Sequence, residues 1–314
     1  MKTNKLLEGI TIIDFSHRLP GPMAGHVLSM FGAKVIKVED HKFKDAFLQG
    51  LFSEFDPSFK EWYKELNQHK ELQRFDFKSQ EDQQKMLELI RNADAVIMGL
   101  PPKIRNAMGL TQEAMETWDQ PLAVIEIGST EVEELNKQSM HDLNAMALTG
   151  ILSLYVADKE GDRVNPPFLP VSGIGLGQHT ASALMAAILR SQKTGKPVFT
   201  QTFLYETARD IFAPFWPKAC RDEKMVSFLH NGAFPCYNLY RTADNHYLAV
   251  AAVEAKFWQG VLDTFEIDLP MENRFDTNPE AYQKVIDVFS NLTTDEIKTK
   301  MGAQDLCLSI IEKF

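Results

Sequence analysis

The chain of 314 residues is long enough for one large domain and one smaller domain, and its 44% hydrophobic and 24% charged residues are typical of a globular protein. A net charge of −10 without a concentrated basic stretch argues against nucleic-acid binding, which needs a basic face. Three distant cysteines and dispersed histidines lack the spacing of disulfides or metal ligands, so we expect neither.

The beginning and the apolar runs of the chain bear on its location. The start, MKTNKLLEG, lacks the apolar stretch of a signal peptide, and no apolar run approaches the length of a bilayer span. We therefore expect no membrane interaction and a cytoplasmic location.

Strand and helix patterns alternate from the start of the chain. Short apolar runs predict strands over residues 10–15, 34–39, 95–100, 122–127 and 198–204. Helices are expected up to Met30, after the N-cap Ser79, near 111–118 and over 180–190. Residues 40–75 show no clear period and predict an excursion over the surface. The alternation predicts an α/β fold, with a doubly wound parallel sheet in a large domain of residues 1–216.

The stretch from His141 to Gly195 is the candidate functional centre. A His-Asp pair, His141 and Asp142, opens an apolar helix, and a proline-bounded loop follows. A turn is then expected at three closely spaced glycines, Gly173, Gly175 and Gly177. Helix starts and glycine-rich turns direct unpaired N–H groups outward, so this is where α/β proteins hold anions and acyl groups.

The pattern changes beyond about Pro217. Two strands flank a hairpin-type turn at residues 243–245, and a helix starts at Glu254. Further helical patterns lie near 279–290, 294–301 and 304–312. These elements predict a smaller α+β domain, residues 217–314.

Several segments, in order along the chain, resemble the family III CoA-transferase (CaiB/BaiF) superfamily. They are LLEGITIIDFSHRLPGPMAGHVLSMFGAKVIKVE, MHDLNAMALTGIL, PPFLPVSG, AILRSQKTG and NGAFPCYNLYRTADNHYLAVAAVEAKFW. The last four look most like the α-methylacyl-CoA racemase branch, and the resemblance runs from Leu6 to the end. It implies a Rossmann-like large domain, a small domain, two interlocked chains, and substrates carried as CoA thioesters.

In the racemase branch, a His and an Asp on opposite faces of the α-carbon remove and return its proton. The resemblance places this His on His141, its neighbouring Asp on Asp142, a supporting Glu on Glu254, and the second catalytic Asp on Gly173. Because glycine offers no acid, base or nucleophile, we expect no transfer through an aspartyl intermediate and impaired two-base racemisation. The alternative for the pair is that Asp142 caps the helix and His141 is a polar surface residue.

Two positions where the family has a CoA-contacting Arg fall on Asp40 and Pro101, and an Asp there would repel phosphates. The cations expected to contact the substrate carrier are Lys37, Lys70 and Arg74. Together these changes predict weakened CoA binding. The resemblance also implies that a C-terminal return segment is missing, which would leave surface bare or covered by a partner.

Three hypotheses follow from these residues. The first is an enzyme that moves an α-proton of an acyl thioester, with His141 as base and Asp142 and Glu254 orienting it. The second is a structural or regulatory subunit in an interlocked homodimer, or in a heterodimer with an intact relative. The third is an enzyme for acyl groups on the pantetheine arm of a carrier protein. None of them requires a cofactor besides the acyl thioester.

Overall fold

The structure is a computed structural model that describes residues 5–156, 166–167, 169–215, 217–223 and 229–311. Most of the loop predicted between the candidate site's two helices, residues 157–165 and Phe168, lies outside the described residues, as do both chain ends. The chain divides into two compact units, Met1–Pro217 and Lys218–Phe314.

Six strands of the first unit form one parallel sheet. They are β1 (Thr11–Asp14), β2 (Lys34–Asp40), β3 (Glu71–Phe75), β4 (Ala95–Met98), β5 (Leu122–Gly128) and β6 (Pro197–Phe203). Their order is β3-β2-β1-β4-β5-β6, and each neighbouring pair is parallel. This is the doubly wound, Rossmann-like order, in which ligands bind at the carboxyl ends of the strands. The predicted fold class is confirmed.

Ten α-helices connect and cover these strands in the described part of the first unit. They are α1 (Pro20–Met30), α2 (Leu51–Phe55), α3 (Ser58–Asn67), α4 (Gln80–Arg91), α5 (Pro102–Ala107), α6 (Gln112–Met115), α7 (Asp142–Leu148), α8 (Ile151–Val156), α9 (Val171–Thr194) and α10 (Leu204–Phe212). Short 3₁₀ turns lie at Lys5–Leu7 and Leu135–Lys137. The predicted cap of α4 is confirmed, because the Ser79 hydroxyl accepts a hydrogen bond from the Asp82 amide.

The sheet is buried on both faces, as its continuous apolar strands require. Neighbouring strand residues point to opposite sides, so Ile13 belongs to one core cluster and Ile12 to the other. Met86 of α4 packs in the first cluster, and Leu28 of α1 and Leu184 of α9 pack in the second. The cluster around Leu28 is aliphatic, whereas the cluster around Met86 also contains the aromatic side chains of Phe15 and Phe77.

The structure corrects two predictions about the first unit. Residues 40–75 contain α2, α3 and the edge strand β3. The residues of β3 are largely exposed, so this strand lacks an alternation of buried and exposed positions in its sequence. The three glycines predicted as a turn lie inside α9. A Cβ at Gly177 would lie 2.6 Å from the Cβ of Met23 and 3.0 Å from the carbonyl oxygen of Pro20, so glycine is needed where α9 packs on α1.

The second unit is a small antiparallel sheet with helices. Its strands β7 (Tyr237–Arg241), β8 (Tyr247–Ala251) and β9 (Leu308–Ile311) pair in the order β7-β8-β9. The helices are α11 (Lys218–Asp222), α12 (Ala255–Phe265), α13 (Pro279–Ser290) and α14 (Thr294–Met301), with 3₁₀ turns at Leu229–Asn231 and Met271–Phe275. The helix predicted over 304–312 is wrong, because β9 pairs there with β8 and directs Leu308 and Ile310 toward the core around Trp258.

Two features of the described residues bear on membranes and metals. No described helix combines the length and the apolar character that crossing a bilayer requires. The same part of the chain holds no group of three or more His, Cys, Asp or Glu side chains arranged for a metal ion.

Candidate functional site

A cavity of about 490 Å³ lies in the first unit, at the carboxyl edge of the sheet. We call it the candidate cavity. Its lining residues are Arg18, Leu19 and Pro20; Phe47, Phe52, Phe59 and Trp62; Met140, His141, Asp142 and Leu143; and Pro166, Pro167, Leu169, Pro170, Gly173 and Leu204. They belong to the segment after β1, to residues 40–75, and to the segments at the starts of α7, α9 and α10. This edge is where the fold binds ligands, and the volume suits a small organic group.

The structure brings His141, Asp142 and Gly173 to this one cavity. His141 is the N-cap residue of α7, and its amide donates a hydrogen bond of 3.0 Å to the Oδ1 atom of Asn144. Its side chain is exposed and lines the cavity. An imidazole in this position can reach a bound molecule.

The Asp142 carboxylate links α7 to α9. Its Oδ1 atom accepts a hydrogen bond of 2.7 Å from the Gly173 amide, and the Ser172 amide also stabilises it. Burial raises the pKa of this half-buried carboxyl, and the two amides oppose that rise. The described contacts include no hydrogen bond between the side chains of Asp142 and His141. Asp142 thus caps α9, which is a different helix from the one it opens.

Gly173 leaves little space for a side chain. A Cβ there would lie 2.9 Å from Cδ2 of Leu19 and 3.6 Å from Oδ1 of Asp142. A carboxylate at this position would require Leu19 to move and would stand beside a second carboxylate. The neighbouring Ser172, which the sequence reasoning missed, is buried, and its hydroxyl has no hydrogen-bond partner in the described part of the chain.

Lys37 and Lys70, predicted to contact the substrate carrier, are internal charges. The buried Lys37 ammonium donates to the carbonyl oxygen of Ser16. The Lys70 ammonium lies 2.9 Å from Oδ2 of Asp14 and also donates to the Pro22 carbonyl oxygen at 2.8 Å. Burial lowers the pKa of Lys70, although Asp14 opposes this. These two amines are bound to the protein itself, so their placement does not support the predicted role.

Two buried carboxylates complete this arrangement, and we call Asp14, Lys37, Glu39 and Lys70 the internal charge cluster. Although burial alone would raise the pKa of the Asp14 carboxyl, Lys37 and Lys70 hold it well below its usual range. Glu39 accepts a hydrogen bond of 2.7 Å from the Tyr63 hydroxyl and lies 3.3 Å from Nε of Arg74. The cluster connects the carboxyl ends of β1 and β2 to the segment of residues 40–75.

The remaining predicted site residues lie in different places. Arg74, in β3, keeps 40% of its side chain exposed while it contacts Glu39, so it alone among the three predicted carrier-binding cations faces solvent. Asp40 is buried and accepts hydrogen bonds from the amides of Lys42, at 2.7 Å, and Phe77, at 3.3 Å. Glu254 is the N-cap residue of α12 in the second unit.

Aromatic side chains from residues 40–75 form one wall of the candidate cavity. Phe59 lies at the centre, with ring-centroid distances of 4.8 Å to Phe47, 5.3 Å to Phe52 and 5.2 Å to Trp62. Phe59 and Trp62 are three residues apart in α3 and therefore share a helix face. That spacing is the signal that could have identified this wall.

Other cavities also occur in the described part of the first unit. A smaller one of about 240 Å³ shares Leu19, Trp62, Leu169 and Pro170 with the candidate cavity. Another of about 590 Å³ is lined by residues of α6, α9 and β6 and contains none of the predicted site residues. The placement of His141 and Gly173 therefore favours the candidate cavity as the functional site.

Comparisons with known proteins agree with this architecture. Residues 7–314 match the sequence profile of "CoA-transferase family III". The chain is 24% identical to human alpha-methylacyl-CoA racemase over 98% of this chain and 78% of the relative. It is 25% identical to a CaiB/baiF CoA-transferase family protein of Caenorhabditis elegans, over 84% of this chain and 74% of that protein.

A solved structure shares the fold. A CAIB/BAIF family protein from Brucella suis superposes with a TM-score of 0.76 at 18% sequence identity, over 98% of this chain and 84% of the other. The match of the family profile to nearly the whole sequence confirms the resemblance that the sequence motifs predict. The chain belongs to CoA-transferase family III.

Proposed function

We propose that the protein acts on acyl thioesters in the candidate cavity, with His141 as the base that removes the α-proton. The observation that carries this proposal is that His141, Asp142 and Gly173 line one cavity whose other walls are mainly apolar. An apolar cavity suits an acyl group, and an exposed imidazole beside it is a candidate general base.

The reaction we propose is exchange of the α-proton with solvent. The imidazole takes the proton, and the electron pair moves into the thioester carbonyl to give an enolate. The imidazolium exchanges its proton with water and returns one to the same carbon. Since Gly173 supplies no second carboxylate, we expect exchange to be faster than racemisation and expect no acyl transfer through an aspartyl intermediate.

The test follows an α-methylacyl-CoA in heavy water by proton NMR. We expect the native protein to replace the α-proton by deuterium, and His141→Gln to slow this by about 100-fold or more, the usual contribution of a general base. His179→Gln is the matched control, because His179 is exposed in α9 and does not line the cavity. Equal exchange by the native protein and His141→Gln would contradict the proposal.

The second candidate function is the same chemistry on an acyl group carried by the pantetheine arm of a carrier protein. Lys37 and Lys70 contact oxygen atoms inside the protein, and the Asp40 carboxylate accepts a hydrogen bond from a loop amide. These residues are therefore not available to an adenine nucleotide, which favours a carrier without an adenine end. We expect acyl-pantetheine to bind about as tightly as acyl-CoA in calorimetry. An acyl-CoA that binds much more tightly would contradict this candidate.

We also propose that the chain works as a dimer, either with itself or with an intact relative. Apolar side chains on the surface of the first unit, Leu189 at 70% and Phe215 at 83% exposure, support a partner-covered surface. A dimer without thioester affinity would favour the structural-subunit alternative over an enzyme. Sedimentation equilibrium tests the assembly, and a monomer at micromolar concentration would contradict it.

A further inference from the structure

Arg18 is held in an unusual backbone conformation beside the candidate cavity. Its φ of 66° lies in the left-handed region, which non-glycine residues seldom adopt. The fully buried Asp45 imposes this geometry: its Oδ2 atom accepts a hydrogen bond of 2.9 Å from the Arg18 amide, and its Oδ1 atom accepts one of 2.9 Å from the Phe47 amide. Strained residues fixed by their surroundings cluster at binding sites.

The guanidinium group of Arg18 has an aromatic neighbour and, in the described part of the chain, no ion-pair partner. It lies 5.5 Å from the ring centroid of Phe52, and both residues line the cavity. Asp45 binds the backbone amide of Arg18, not its side chain. The ion pairs found among the described residues include none to Arg18. Since a guanidinium stays charged at all physiological pH values, the cavity wall carries a cation that has no ion-pair partner among the described residues.

The described polar groups near the cavity form no ion pair with Arg18. Asp142 accepts its hydrogen bond from the start of α9. Burial lowers the pKa of the neighbouring His17, so this histidine does not add a competing cation near neutral pH. Arg18 is itself exposed, so its guanidinium is accessible to an anion that enters between the apolar walls of the cavity.

We propose that Arg18 binds a free carboxylate at the far end of the acyl group, so that the cavity selects monothioesters of dicarboxylic acids. This inference rests on the proposed function, which places the thioester at His141. A planar guanidinium can hold either a carboxylate or a phosphate with two hydrogen bonds. The surrounding Phe47, Phe52 and Trp62 suit the methylene chain of an acyl group, which favours the carboxylate over a carrier phosphate.

The experiment measures binding of glutaryl-pantetheine, in which the acyl carboxylate is the only anion, by calorimetry. The comparison ligand has an isopropyl group in place of that carboxylate. We expect Arg18→Met to weaken glutaryl-pantetheine about 10- to 100-fold, the range for a charge-assisted hydrogen-bonded contact, and to change the neutral ligand less than about twofold. Arg18→Lys keeps the charge without the planar fork, so it should fall between the two.

The matched control is Arg91→Met, because Arg91 also stacks over an aromatic ring, that of Trp118 at 5.2 Å, but does not line the cavity. We expect native affinity for this variant. Equal affinity of the native protein for both pantetheine ligands, or no binding of either, would overturn the inference. So would an Arg18→Met variant that weakens only the CoA thioester of the neutral acyl group, since Arg18 would then contact a carrier phosphate.

The α-proton exchange assay separates this inference from the proposed function. Exchange of both acyl groups at equal rates would leave the proton-transfer proposal intact and contradict the role of Arg18. A carboxylate preference that depends on Arg18, without any exchange, would support the binding site and contradict the role of His141 as base.

Discussion

Two groups of charged side chains lie at the carboxyl edge of the first unit's sheet, and they differ in how their charges are satisfied. In the internal charge cluster, both amines meet oxygen atoms of the chain, as Lys70 does with Asp14. In the candidate cavity, neither Arg18 nor His141 forms an ion pair within the part of the chain that the structure describes. A cation paired inside the protein serves the fold, whereas a cation left facing a cavity is available to a ligand.

The comparison also shows why residue type alone misleads. The sequence placed Lys37 and Lys70 among the substrate-binding cations and did not single out Arg18. In the structure, the two lysines donate hydrogen bonds to Ser16 and Asp14, and Arg18 lines the cavity. Their partners are distant in sequence, because Lys37 and Ser16 are 21 positions apart and Lys70 and Asp14 are 56 positions apart, so no local pattern reveals them.

The largest expected effect tests the internal charge cluster. Lys70→Met leaves the buried Asp14 carboxylate without its nearest cation, so we expect it to lower the free energy of unfolding by about 3–5 kcal/mol in urea denaturation. Lys34→Met is the control, since Lys34 pairs with Glu71 on the surface at 3.1 Å and should cost less than about 1 kcal/mol. Similar losses in the two variants would show that the cluster is not tightly buried.

The second prediction concerns acid denaturation and sharpens the same comparison. The folded protein holds the pKa of Asp14 below its unfolded value of 3.8, so this carboxylate stabilises the fold above about pH 4 and loses its contribution as pH falls further. Asp14→Asn should remove on the order of 2 kcal/mol at neutral pH and flatten the loss of stability in acid. Unfolding curves that keep the native slope below pH 4 would contradict this assignment.

The smallest effect is expected for Asp142 in the candidate cavity. Asp142→Ala removes the acceptor of the Gly173 amide and should cost about 1 kcal/mol, the usual value of a lost helix cap. Because the fold raises the pKa of this carboxyl, its ionised form is disfavoured, and Asp142→Asn should be at least as stable as the native protein at neutral pH. An Asn variant as unstable as the Ala variant would show that the negative charge itself is required.

Much of the fold was predictable from local patterns. The central strands are short apolar runs, and the predicted bounds of α13 and α14 are confirmed at residues 279–290 and 294–301. The wrong predictions depend on long-range packing. Gly177 of α9 is required by contact with α1, and β9 is a strand because it pairs with β8.

The candidate site was only partly predictable. The resemblance identified His141, Asp142 and Gly173, which line one cavity, although periodicity alone gave no reason to join them. The roles of Asp142 and Glu254 in orienting His141 stay predictions. The aromatic wall was predictable only in part, because the spacing of Phe59 and Trp62 indicates a shared helix face, whereas Phe47 joins them only through the tertiary fold.

The hydrogen bond between Asp142 and Gly173 has a consequence for protein engineering. It joins two positions 31 residues apart, so the ends of the intervening segment are fixed by a contact that does not depend on the segment's length. The same contact joins the starts of α7 and α9, so a substitution at either position acts on both helices. Positions 142 and 173 should therefore be redesigned together.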